Sequence, residues 1–174
     1  EGRLEVGGNY TETGSSALAM KSDKGYMLVK GNYTATSDIG VDNGSNEFMT
    51  AGVLEIKGNF TQANTRYDGN FILNGSHKVI LSGEKEQTIK FANPASSYFN
   101  VLEIKNGSEE GVKSEGYVST KKIITNGKNV SNLKIGIIGN LTEDFKFDEP
   151  IYISGNLNMK GFNIEAKGVN IVGG

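Results

Sequence analysis

Leu4-Glu5-Val6-Gly7-Gly8-Asn9-Tyr10-Thr11 returns as Met27-Leu28-Val29-Lys30-Gly31-Asn32-Tyr33-Thr34, and again as Leu54-Glu55-Ile56-Lys57-Gly58-Asn59-Phe60-Thr61. The shared glycines, Gly8, Gly31 and Gly58, lie 23 and 27 residues apart. Weaker copies follow at Ile138-Gly139-Asn140-Leu141-Thr142 and Ile153-Ser154-Gly155-Asn156-Leu157, and Ile164 to Asn170 keeps the rhythm. A strand, a Gly-Asn corner and a second strand, renewed about every two dozen residues, correspond to one turn of a coil of short strands at ~3.3 Å per residue. Each turn then stacks on the next at ~4.8 Å, and equivalent residues form ladders along the axis. The expected fold is all-β, a parallel right-handed β-helix (β-solenoid) with short strands and Gly-Asn corners; the alternative is an antiparallel β-sandwich.

Outside the repeat the same alternation holds. Lys78-Val79-Ile80-Leu81, Thr88-Ile89-Lys90-Phe91, Leu102-Glu103-Ile104-Lys105 and Ile151-Tyr152-Ile153 place apolar residues at every second position, and Gly, Asn, Ser or Asp ends nearly every run. Such residues supply the positive φ angles and side-chain-to-backbone bonds of tight corners. Only Ser16 to Ser22 offers room for helical turns. Parity sends Leu4, Val6, Gly8 and Tyr10 inward, with Met27, Val29, Gly31 and Tyr33 and with Leu54, Ile56, Gly58 and Phe60; Glu5, Leu28, Lys30, Glu55 and Lys57 point outward. Tyr10, Tyr33 and Phe60 then form an interior aromatic stack rather than an exposed platform for sugars. Ser37 to Phe48 breaks the rhythm and reads as an insertion loop (37–48).

Composition narrows the function. The 174 residues carry 18 basic and 20 acidic side chains, so the net charge of −2 offers no basic stripe for nucleic acid. No apolar run reaches the ~20 residues of a bilayer crossing, and no membrane partner is expected. With no cysteine and one histidine, a Cys-based zinc site or a Ser-His-Asp triad is hard to assemble. Eight Asn-x-Ser/Thr triplets, at Asn9, Asn32, Asn43, Asn59, Asn74, Asn106, Asn129 and Asn140, exceed the roughly three that composition predicts; corners account for several without glycans. The Asp38–Glu47 stretch holds oxygen ligands suited to calcium, yet it lacks EF-hand spacing and the Gly-Gly-x-Gly-x-Asp repeat. Asp144, Asp148 and Glu149, and Glu84 with Lys85 and Glu86, are the clusters from which a polysaccharide-cleaving site could be built. His77, in a Gly-Ser-His-Lys corner, reads as a turn or packing residue rather than a base. No catalytic, metal-binding or cofactor-binding residue is assigned, and no enzyme activity or cofactor is expected.

Leu54 to Gln62, Asn74 to Gly83, Gln87 to Phe91, Phe99 to Ile104, and Asn140 to Gly161 together resemble the tandem β-solenoid modules of large secreted or cell-wall-associated proteins of Gram-positive, mostly anaerobic bacteria. The resemblance covers about 120 residues and brings no catalytic residues to transfer. It implies one module (1–174) of a longer repetitive protein, extracellular or cell-wall-associated, partnered by other domains of the same parent and by polysaccharide or host surfaces. The function it implies is a non-catalytic structural or adhesive segment; the alternative is a carbohydrate-binding module or a polysaccharide-lyase-like β-helix. Exposed aromatics lining a groove beside paired acids would favour sugar chemistry, whereas flat faces of Lys, Glu, Thr and Asn favour a rod.

Overall fold

A computed structural model describes residues 2–14, 18–37, 48–63 and 71–172. In chain order the strands are β1 (Arg3–Val6), β2 (Tyr10–Gly14), β3 (Tyr26–Val29), β4 (Tyr33–Ser37), β5 (Val53–Ile56), β6 (Phe60–Gln62), β7 (Lys78–Leu81) and β8 (Gln87–Phe91). They continue as β9 (Phe99–Ile104), β10 (Val112–Glu115), β11 (Tyr117–Ile124), β12 (Lys134–Asn140), β13 (Phe145–Phe147), β14 (Ile151–Asn158), β15 (Ile164–Ala166) and β16 (Val169–Val172). No helix occurs among the described residues; Leu18 to Ser22 contains no helical turn, and Met20 bridges Met49 in parallel.

Every strand pairing among the described residues is parallel, which is incompatible with an antiparallel sandwich and consistent with a β-solenoid. One sheet of nine strands runs β1-β3-β5-β7-β9-β11-β12-β14-β16, a second of five runs β10-β8-β6-β4-β2, and β13 pairs β15. Leu4 sits beside Met27, Met27 beside Leu54, and Leu54 beside Val79, so the sequence repeat is a register ladder in space. The step between register partners is 23, 27, 25 and 23 residues along the first rungs, from Arg3 through Tyr26, Val53 and Lys78 to Val101. It then falls to 21, 17, 16 and 18, as in Phe99↔Thr120, Tyr117↔Lys134, Ile135↔Ile151 and Ile151↔Val169.

Alternation fills the interior as parity requires. Val29, Tyr33, Leu54, Ile56 and Phe60 are fully buried. Tyr33 and Phe60 stack at 5.6 Å and 11°, and Phe60 also meets Phe71 at 4.8 Å and Phe99 at 4.9 Å. Each such pair contributes about 0.5–1.5 kcal/mol beyond its buried area. Leu4 is exposed and Tyr10 only half-buried; among the described residues β1 and β2 are the edge strands of their sheets.

Leu28 departs from its expected exposure, and the register explains why. Across the outward face of the large sheet the partners run Glu5, Leu28, Glu55, Ile80, Glu103, Ile124. Leu28 and Ile80 each lie between two glutamates whose methylene stems can cover them, and both are buried. The carboxylates themselves fall on every second rung, roughly 10 Å apart at ~4.8 Å per rung. Glu55 accepts hydrogen bonds from the Tyr26 hydroxyl (2.7 Å) and Ser82 Oγ (2.5 Å), and Glu103 accepts from Lys78 Nζ (2.9 Å). Partial burial alone would raise both carboxyl pKa values; these donors outweigh it and hold both below the usual range.

The Gly-Asn pairs of successive copies lie against one another. Asn9 Oδ1 accepts from the Asn32 amide, Asn32 Oδ1 from the Asn59 amide, and Asn59 Oδ1 from the Thr88 amide, each at 2.8 Å. Gly31 and Gly58 lie outside the left-handed region, so turn conformation is not what requires glycine there. A Cβ on Gly58 would lie 2.5 Å from the Gly31 carbonyl; close approach of successive rungs is the reason. Asn140 and Asn156 carry strand pairing instead of such a contact. Asn140 ends β12 and Asn156 lies within β14, and a register shift between Ile137 and Gly139 pairs Asn140 with Asn158.

Candidate functional site

The same register shift opens the groove that forms the best-defined candidate site. The first half of β11, Tyr117 to Thr120, pairs with β12, while Thr120 to Ile124 pair with β9. After Ile137, β12 bends away through Gly139, whose φ of 79° is left-handed, and re-pairs with the end of β14. Lys121 and Lys122 are thereby left facing a gap of about 570 Å³ instead of a neighbouring strand. Tyr98, Asn100 and Val101 form one side, and Ile138, Asn140, Thr142 and Glu143 the other.

Four polar side chains of the gap, Lys121, Lys122, Glu143 and Asn100, have partners. Lys121 Nζ donates to Asn74 Oδ1 (2.9 Å) and sits 4.8 Å from the centre of the Tyr98 ring, a cation–π distance. Burial lowers the Lys121 pKa, and no carboxylate among the described residues pairs with it. Lys122 Nζ donates to both oxygens of Glu143, at 2.8 and 2.7 Å, linking the two sides. Asn100 Nδ2 donates to the Gly75 carbonyl at 2.9 Å, tying the groove to the neighbouring corner. With Lys121, Lys122 and Glu143 the groove carries one net positive charge in a chain whose net charge is −2.

Three members of the acidic clusters singled out in the sequence are engaged elsewhere. Glu86 pairs Lys113, Glu149 pairs Lys167 at 2.9 Å, and Asp144 Oδ1 accepts the Asn163 amide at 2.8 Å. Among the described residues no three His, Asp or Glu side chains come together as a metal-holding group. The Asp38–Glu47 stretch, and with it the candidate calcium ligands and the interior of the 37–48 insertion, lies outside the described residues. His77 is completely buried, neither ring nitrogen has a hydrogen-bond partner among the described residues, and burial pushes its pKa down to about 4. A neutral imidazole without access to solvent or to a second polar group acts in packing. Glu12 is also deeply buried: burial raises its pKa, and the Tyr33 hydroxyl, fully buried itself, donates to it.

Asn-x-Ser/Thr triplets also have local explanations. Asn106 Oδ1 accepts from the amide and hydroxyl of Ser108, both at 2.8 Å, and Asn129 Oδ1 does the same for Ser131 at 3.1 and 2.9 Å. One outward aromatic pair escaped the repeat pattern. Tyr117 and Tyr152 lie nearly parallel at 6.3 Å above Gly136, where a Cβ would approach the Tyr117 ring to 2.9 Å.

The chain matches no family model, no curated protein and no solved structure.

Proposed function

We propose that this chain is a non-catalytic structural and adhesive β-solenoid module of a bacterial extracellular or cell-wall-associated surface protein. It winds as a right-handed β-helix with Gly-Asn corners and serves as a rigid spacer or surface-contact segment beside other domains of its parent. The observation that carries this reading is the direction of the surface ion pairs. Lys30–Glu5, Lys78–Glu103, Lys90–Glu115, Lys113–Glu86, Lys122–Glu143, Lys146–Glu165 and Lys167–Glu149 each join one rung to the next. Such pairs contribute little stability individually, but their common axial orientation spends the charged side chains on neighbouring rungs instead of gathering them for chemistry. The resemblance of its middle segments to secreted modules supports the location.

Small-angle scattering and a turnover assay test the reading together. Nine strands at ~4.8 Å per rung give an axial length on the order of 40 Å. Incubation with pectic, cellulosic, xylan and host-type polysaccharides is expected to release neither reducing ends nor unsaturated products. Sustained turnover of any of these would replace the scaffold by an enzyme. A second reading, a carbohydrate-binding module, draws its support from the groove beside β12.

A further inference from the structure

We propose that the groove opened by the departure of β12 from β11 binds a carboxylate-bearing sugar residue, a hexuronate, with the Lys121 ammonium as its anchor. This names the ligand class of the surface contact and rests on the adhesive part of the function proposed above. Lys121 is fixed by Asn74 and Tyr98 yet has no carboxylate partner among the described residues, so an ammonium with an unused donor lines a concave surface. A volume of about 570 Å³ is in the range of small-ligand sites. Its single net positive charge suits one carboxylate better than a phosphate dianion. Asn140 and Thr142 supply amide and hydroxyl groups for sugar hydroxyls, while Val101 and Ile138 supply apolar surface for the C–H face of a ring. The ammonium already covers one face of Tyr98, which leaves a neutral sugar without the stacking platform it would need there. Lys122 and Glu143, bonded to each other across the groove, mark its width and leave Lys121 as the group available to an anion.

Isothermal titration and amide-resolved NMR of the whole chain with trigalacturonate, neutral galactotriose and triglutamate test the assignment. Trigalacturonate is expected to bind weakly, to shift the amides of Gly75, Tyr98, Lys121 and Asn140, and to lose affinity as salt rises. Lys121→Met is expected to weaken binding about ten- to hundredfold, the loss of a charged hydrogen bond, whereas Lys90→Met, outside the groove, leaves it unchanged. Lys121→Arg, which keeps the charge, retains measurable binding and guards against a folding defect in the methionine variant. Equal binding of the neutral trisaccharide, tighter binding of triglutamate, shifts mapping elsewhere, or wild-type affinity in Lys121→Met would each overturn the proposal. None of these outcomes alters the scattering length or the absence of turnover on which the scaffold reading is judged.

Discussion

Substituting alanine for Gly58 separates two explanations of the corner glycines, conformational need and close stacking. The new Cβ would stand 2.5 Å from the carbonyl carbon and oxygen of Gly31 and from Asn32 Oδ1. Restoring an ordinary contact of about 3.4 Å requires the two rungs to separate by roughly 0.9 Å at this corner. That displacement stretches the Gly58 amide bond to the Gly31 carbonyl, now 3.0 Å, and the Asn59 amide bond to Asn32 Oδ1, now 2.8 Å, past useful length. Two lost hydrogen bonds at about 1 kcal/mol each, with overpacking of about 1–3 kcal/mol, exceed the roughly 0.4–1 kcal/mol gained by restricting the unfolded chain. The expected net loss is about 2–4 kcal/mol. Gly8, the same motif position in the first rung, would have nothing within 4 Å of an added methyl, so Gly8→Ala should be neutral or slightly stabilising. Urea unfolding followed by circular dichroism reads both. Equal shifts of the midpoint in the two variants would refute the stacking explanation.

Phe60→Ala removes the ring that touches Tyr33, Phe71, Phe91 and Phe99 and should cost about 3–5 kcal/mol in the same assay; a loss below about 1 kcal/mol would contradict its central place. His77 has a folded pKa of about 4 against an ordinary 6.5, so the unfolded chain takes up the proton first as pH falls. Stability is therefore full above pH ~6.5, declines toward pH ~4 and levels off below, by about 3 kcal/mol for this group. His77→Leu should remove that share of the wild-type decline, measured as the difference between the two pH profiles. Leu28→Glu sets carboxylates on three consecutive rungs with Glu5 and Glu55, and the resulting destabilisation should shrink as sodium chloride is raised. An effect independent of salt would mean that lost apolar burial accounts for all of it.

The parallel stacking was legible because three copies keep the same order of apolar, glycine, asparagine and aromatic residues, and translation along a coil is what repeats them. Legibility failed where geometry depends on the neighbouring rung. Gly139-Asn140 and Gly155-Asn156 have the letters of the repeat, yet the former pairs with β14 at the end of β12, just after a register shift, and the latter lies within β14. Leu28 and Ile80 alternate as outward residues yet are buried, each in register between glutamates 23 to 27 positions away, a relation invisible to a local pattern. The groove combines Tyr98 and Asn100, Lys121 and Lys122, and Asn140 to Glu143, which no single motif connects. The one available signal was a glycine in the middle of an otherwise strand-like run, Ile137-Ile138-Gly139, a common mark of a bulge.

The shrinking register step gives the coil a taper, with rungs of 23 to 27 residues at one end and 16 to 18 at the other. The cluster of Tyr33, Phe60, Phe71, Phe91 and Phe99 occupies the broad portion. Rungs are consequently interchangeable only with others of similar girth. A duplicated broad turn spliced among the slender ones would leave a ledge of aromatic surface overhanging its neighbours, so lengthening by tandem duplication is confined to segments of matching perimeter.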